Sequence, residues 1–271
     1  MKKIAILRST SGIGDILMIS PIVKELSLIN NVKIDFYTNL SYLSEIEVLN
    51  KNPFIKRVFD IEKYNHKIYD YSYDLSYVAY AYEQSGCSFS RQEIFAKYCK
   101  VIPRNYLPVY NNNLKFSYEK KTIAIHTEAA EERRSWPQSY TDFLIKWIIE
   151  NTSCNLIYLN QKPLKIKSQR IRNCSNSNLK ECVEFLSGAN LLISVDSCFM
   201  HFSAMLKIKS LVLFGSTKPD LRLKHYSTHE SIYTPTKCKG CFYKECNNYI
   251  CMKEIKPDQV IKKIKNYAFL F

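Results

Sequence analysis

Residues 191–219 read LLISVDSCFMHFSAMLKIKSLVLFGSTKP. The run 191–195 is short, β-rich and apolar, with little alternation, as in a strand buried on both faces. Residues 199–206 carry apolar side chains at helical spacing, and 211–214 form a second buried run. Two strands joined by a helix lie parallel in one sheet. The stretch therefore sets the fold class as α/β with open parallel sheets. In such sheets ligands sit beyond the carboxyl ends of the strands. That singles out Asp196, Ser197 and Cys198 after the first strand, and Gly215-Ser216-Thr217 after the second. Backbone N–H groups at the start of the intervening helix suit a phosphate. Asp196 and His201 can both border that helix mouth, although a lone histidine in such a helix also reads as a satisfied core residue.

The alternation extends outward on both sides. Strands are expected over 3–7, 32–37, 58–61 and 75–82, and helices over 15–29, 42–50 and 92–100. Residues 103–121, PRNYLPVYNNNLKFSYEKK, break the pattern with two prolines, an asparagine run and charges, and read as a linker. Beyond it, strands are expected over 122–126 and 155–159, helices over 140–151 and 179–188, and a closing helix over 257–267. Gly188 is the expected cap of the second of these helices. The reading is two parallel-sheet domains, 1–112 and 113–271.

Composition narrows the class. With 271 residues and 46% hydrophobic content, the chain can bury two modest cores. Its formal charge is +14, from 39 basic and 25 acidic residues. The lysines are dispersed, so this is either a solvated surface or a field for an acidic partner: a nucleotide diphosphate, an anionic glycolipid, a membrane face or a nucleic acid. No run approaches the ~20 apolar residues of a membrane span. Met1-Lys2-Lys3 precedes an apolar run too short for a signal peptide, so the expected location is cytoplasmic, with contact at the inner face of the membrane allowed by the charge. The scattered cysteines are expected to stay reduced there.

Three further motifs carry chemistry. Ser9–Asp15 reads STSGIGD, after one strand and before one helix. Gly12 and Gly14 permit a tight turn and close approach of a ligand, with Ser11 alongside. Asp15 is then either an ordinary acidic residue at a helix start or a functional carboxylate. The stretch 123–143, IAIHTEAAEERRSWPQSYTDF, places Thr127 and Arg134 past a strand end, where an arginine fork suits a diphosphate. A charged loop anchored by Trp136 is the plainer reading. Last, Cys238, Cys241, Cys246 and Cys251 follow a C-x2-C-x4-C-x4-C spacing. Four thiolates suit one tetrahedral iron or zinc, closed and therefore structural.

Taken in order, GIGDILMISPIVKEL, HTEAAEERRSWPQSYTDF, LLISVDSCFMHFSAMLKIKSLVLFGSTKP and the cysteine-bearing tail resemble glycosyltransferase family 9, the heptosyltransferases of bacterial surface-glycan synthesis. The resemblance implies a GT-B fold: two Rossmann-like parallel-sheet domains facing a central cleft, the first for the acceptor and the second for the nucleotide-sugar. It implies inverting transfer, of heptose or another sugar, from a nucleotide-diphosphate donor such as ADP-heptose to a glycan, lipid-linked or protein hydroxyl. Asp15 corresponds to the family's general base. Thr127, Arg134, Asp196, Ser197 and His201 correspond to donor-site positions, and Glu181 to a nucleoside-binding acid. The cysteine tail is similar to that of protein-modifying members that bind iron there, and no catalytic divalent metal is expected. Cys198 stands where the family often has glycine, and Arg134 where lysine is common. Two other readings stay open: a non-catalytic nucleotide-sugar binder, and a basic nucleic-acid-binding protein. Diffuse charge argues against the second, and no specific nucleic acid is expected as a partner.

Overall fold

Every strand pairing is parallel among the described residues, as helix-linked strands require. The computed structural model describes residues 2–111, 116–234, 246 and 248–270. Contacts group the chain into two units, Met1–Asn113 with Asp220–His225, and Leu114–Pro219 with Tyr226–Phe271. The short segment Asp220–His225 thus groups with the first unit, whereas the sequence placed it in the second.

In the first unit, β1 (Ile4–Arg8), β2 (Ile34–Thr38), β3 (Ile55–Asp60) and β4 (Tyr71–Asp74) form a sheet in the order β3-β2-β1-β4. All five residues of β1 are buried, and Ile4–Leu7 read as an apolar run, closed by the buried Arg8. The helices are α1 (Ile13–Asn30), α2 (Leu43–Asn50), α3 (Val78–Gln84) and α4 (Arg91–Tyr98). Pro21 lies inside α1 and removes the N–H that would bond the Leu17 carbonyl. The Ser20 hydroxyl donates to that carbonyl instead, at 2.6 Å, so the helix continues through the proline. One sheet face, with Ala5, Leu7 and Tyr37, is packed by Phe59, Ile61, Tyr64 and Tyr69.

The expected strand over 75–82 is not one. The strand lies earlier, at β4, and α3 takes most of the stretch. Within α3 the buried positions are Ala79 and Glu83, four apart, so the period is helical despite the β-prone tyrosines.

In the second unit the order is β10-β9-β8-β5-β6-β7. The strands are β5 (Thr122–His126), β6 (Asn155–Tyr158), β7 (Ile171–Asn173), β8 (Leu191–Val195), β9 (Lys209–Phe214) and β10 (His229–Tyr233). The helices are α5 (Gln138–Asn151), α6 (Leu179–Ser187), α7 (Cys198–Met205), then α8 (Asp220–Leu223) in the segment grouped with the first unit, α9 (Ile250–Lys253) and α10 (Pro257–Ile264). The edge strands β7 and β10 were not expected. β7 leaves Arg172 and Asn173 exposed, and β10 buries only Ile232, so neither shows an apolar run. Gly188 ends α6 with right-handed backbone, not a left-handed cap. Glycine is needed there for space: a Cβ would lie 2.7 Å from the Phe116 carbonyl oxygen. Among the described residues no helix is long and apolar enough to cross a membrane.

Candidate functional site

Counted from β5, the second sheet has the 3-2-1-4-5-6 order of doubly wound nucleotide-binding folds. Its order reverses between β5 and β8, which pair directly with His126 opposite Ser194. The carboxyl ends of those strands are the expected ligand crevice. His126 stands at one end and Asp196-Ser197 follow the other. The His126 Nδ1 is hydrogen-bonded to the Ser197 hydroxyl at 3.0 Å, and Ser197 in turn contacts the Ser194 hydroxyl at 3.2 Å. Burial against Phe199 pushes the His126 imidazole down to about 3, so it is neutral at ordinary pH. Ser197 stands at the start of α7, and its own hydroxyl does not cap that helix.

Arg134 reaches the same place from the loop before α5. Its Nη1 donates to the Asp196 carbonyl at 3.2 Å and lies 3.5 Å from the Asp196 carboxylate. A quarter of the Arg134 side chain is exposed, enough for an incoming anion to reach it. Arg134, Asp196 and Ser197 are therefore brought together. Thr127 is close in sequence but turned inward: it is buried, and its hydroxyl bonds Thr141 at 2.9 Å and Asn160 at 2.8 Å. Asn160 also accepts the Thr127 N–H at 2.7 Å and locks the strand end. His201 is buried, with Nδ1 hydrogen-bonded to the Tyr226 hydroxyl at 2.8 Å. Glu181 forms a capping box with Asn178 at the start of α6, the two exchanging bonds of 3.0 and 2.9 Å. The box was written in the sequence as Asn178-x-x-Glu181 and was not read there.

In the first unit, Gly12 has φ 138°, a conformation that glycine alone adopts readily, and its N–H donates to the Glu45 carboxylate at 2.9 Å. Ser11 precedes it, and Gly14 lies in the first turn of α1. Asp15 is mostly buried in the same turn. Arg8 Nη2 donates to its Oδ2 at 2.5 Å and Arg91 Nη1 to its Oδ1 at 2.8 Å. Burial alone would raise this carboxyl, but Arg91 and then Arg8 outweigh it and hold the group well below the usual carboxylate range. Arg91 and Arg222 both bond Glu83, whose side chain is fully buried. None of Arg8, Arg91, Glu83 or Arg222 stood out in the sequence. The one local sign was the Ser90–Glu93 capping box, which starts α4 and sets Arg91 at its first position.

Of the four clustered cysteines, Cys238 and Cys241 lie outside the described residues. Cys246 is half-buried and Cys251 buried. Backbone N–H groups of Tyr249 and Asn248 point to the Cys246 sulfur and, with Arg133 nearby, lower its thiol pKa. Cys251 packs beside Gly215, where an added Cβ would meet its sulfur at 2.9 Å. Among the described residues no group of three or more His, Cys, Asp or Glu side chains is placed to hold a metal.

Two parallel sheets, the second with the 3-2-1-4-5-6 order and with Arg134 beside Asp196 at its reversal point, define a doubly wound α/β protein. More than half of the chain, residues 88–250, matches the model of glycosyltransferase family 9 (heptosyltransferase), and the chain belongs to that family. It is 31% identical over 120 residues to lipooligosaccharide heptosyltransferase 2 of Campylobacter jejuni, a match covering 43% of this chain and 37% of that protein. It is 23% identical over 168 residues to lipopolysaccharide heptosyltransferase 1 of Campylobacter coli, covering 57% of this chain and 49% of that one. The matches thus span less than half the length of these curated relatives. In fold it is similar to the ADP-heptose lps heptosyltransferase II of E. coli, with a TM-score of 0.71 at 16% identity, over 99% of this chain and 98% of that one. It is also similar to the iron-containing dodecameric glycosyltransferase TibC of enterotoxigenic E. coli, with a TM-score of 0.74 at 13% identity, over 98% of this chain and 76% of that one.

Proposed function

We propose that this chain is an inverting glycosyltransferase that moves a sugar from a nucleotide-diphosphate donor to a hydroxyl of a bacterial surface glycan or a glycosylated protein. The observation that carries the reading is the junction of Arg134, Asp196 and the start of α7 at the reversal point of the second sheet. A diphosphate there meets a guanidinium and the positive end of a helix. TibC has been solved with ADP-D-beta-D-heptose and E. coli WaaC with ADP, which supports an adenosine-diphosphate heptose as the first donor to test. In this reading the first unit takes the acceptor and the second the donor, and Ser197 and His126 shape the crevice floor. Thr127 and His201 act through packing, holding the strand end and α7.

The acceptor oxygen attacks the anomeric carbon, and the bond from that carbon to the diphosphate oxygen breaks on the opposite face. The departing charge is met by Arg134 and the α7 amides. Asp15 takes the acceptor proton. Because two guanidiniums hold this carboxylate in its charged form, the proton moves late, once the new carbon–oxygen bond has made the hydroxyl acidic.

Cys238, Cys241, Cys246 and Cys251 would hold one iron or zinc, which would crosslink the loop and supply no chemistry to the transfer. The N–H bonds and lowered thiol pKa at Cys246 fit a thiolate ligand. Elemental analysis of the purified chain should find about one iron or zinc; a metal-free, fully folded chain would refute the site. For the activity, the full chain is incubated with ADP-heptose and a panel of other nucleotide sugars, and product is followed with Asp15→Asn as the control. Turnover with one donor, lost ~10²-fold or more in the variant while nucleotide binding persists, is expected. No turnover or hydrolysis with any nucleotide sugar would overturn the reading.

A further inference from the structure

Asp15 lies within a largely buried chain of charges that runs Arg8, Asp15, Arg91, Glu83, Arg222. Its side chain is 15% exposed, Arg91 18%, Arg8 3%, Arg222 7% and Glu83 fully buried. Arg91 grips Glu83 at two points, Nε to Oε1 at 2.9 Å and Nη2 to Oε2 at 2.5 Å, and turns its remaining Nη1 to Asp15. Arg222 closes the far side of Glu83 at 2.7 Å. Arg8 is tied down as well, its Nη1 donating to the Leu75 carbonyl at 3.0 Å. Each oxygen of Asp15 is thus held by a separate guanidinium, from β1 and from α4, and each guanidinium is itself anchored. Among the described residues, Glu45 on α2 bears on this group through Arg8 and the Gly12 N–H, and Glu93 on α4, paired with Lys224 and His225, lies on the same helix as Arg91.

Burying three cations and two anions is costly, and a helix-start aspartate needs none of them for its own stability. What such a chain provides is a carboxylate fixed in plane and rotation. We propose that Arg91 is the positioning residue for Asp15, oriented by Glu83 and Arg222 so that one open edge of the carboxylate faces the acceptor hydroxyl. The inference rests on the reading of Asp15 as the base. Arg91 touches no substrate in it, and Glu83 acts through Arg91.

The test measures kcat, donor KM and the pH dependence of kcat for the full-length protein and for Asp15→Asn, Arg91→Met, Arg91→Lys and Glu83→Gln. Arg91→Met should lower kcat about 10²-fold, the cost of a misplaced group, with donor KM unchanged. It should also move the acid limb of the kcat profile upward, because the carboxyl then keeps only Arg8 in contact to oppose the effect of burial. Arg91→Lys should restore part of kcat, and Glu83→Gln should reproduce the loss at a distance. Asp15→Asn separates the two claims. If it transfers normally, the base reading fails and takes this inference with it. If it is inactive while Arg91→Met keeps the parental kcat and pH profile, the base stands and the positioning role is overturned. Circular dichroism and nucleotide binding check folding. Should Arg91→Met not fold, Arg91→Lys decides alone: a lowered kcat with a raised acid limb supports the role, and unchanged kinetics overturn it.

Discussion

His126 shows how a single side chain changes meaning once its surroundings are known. In sequence it is only the last residue of a strand. In the fold it is buried between Ser197 and Phe199, and its imidazole is pushed down to about 3; His229, half-buried, is pushed down to about 4 by desolvation, although its bond to the Met200 carbonyl works the other way. Both are lower than in the unfolded chain, where histidine titrates near about 6.5. The unfolded state therefore binds more protons across that interval, and folding stability must fall as pH drops from about 6.5 towards about 4. Each histidine contributes a slope of at most about 1.4 kcal/mol per pH unit. A series of urea titrations between these pH values should show the decline, and His126→Gln should make it shallower. A pH-independent midpoint would mean that the imidazole is not sealed from water. Asp15 acts in the same direction but lower, since its carboxyl is held below the ordinary range. The histidines were not legible because burial by Phe199 or by Met200 is a property of the packed fold, not of their neighbours in the chain.

At the scale of elements, local rules carried much of the architecture and failed where two of them competed. The buried strands β5 and β8 could be placed from their apolar runs because both faces are covered. Residues 75–82 could not, since tyrosine favours strands while the buried positions of α3, Ala79 and Glu83, lie four apart. Helix α1 holds the opposite case, a proline that should have ended it. Ser20 prevents this by donating to the Leu17 carbonyl at 2.6 Å and accepting the Val109 N–H at 2.7 Å. Ser20→Ala leaves both groups without that partner inside a buried region, and should destabilise the protein by about 1–3 kcal/mol. Chemical denaturation would measure it; an unchanged midpoint would show that α1 tolerates Pro21 by other means. The same local logic places Glu181, whose carboxylate accepts the Asn178 N–H in a capping box.

For the whole molecule, the order of segments along the chain and their grouping in space part company at one point. Asp220–His225 follows β9 in sequence but belongs by its contacts with the first unit. Three attachments explain this: Arg222 on Glu83, Lys224 on Glu93 at 2.8 Å, and His225 stacked on Tyr106 with ring centroids 4.0 Å apart. A fragment ending at Asn113 loses all three and leaves Glu83 with one cation instead of two. Breaking a buried charge pair costs about 3–5 kcal/mol, so that fragment should melt well below the intact chain or fail to fold. A fragment as stable as the full-length protein would show that the segment is not part of the unit.

Read alone, the amino-acid order was enough for the α/β class, the parallel pairing and the family, because each follows from short-range patterns: apolar runs, helical spacing, glycine turns and motifs within some twenty-odd residues. It also put Asp15 after the right turn. It left open why an acid should stand there, since the answer lies in groups brought from afar. Arg91 is 76 positions from Asp15, and Arg222 is 139 from Glu83. No local period encodes such pairings. Only packing the sheet and its helices brings these guanidiniums onto one buried chain of charge, and with it decides that the aspartate stays ionised and in one orientation.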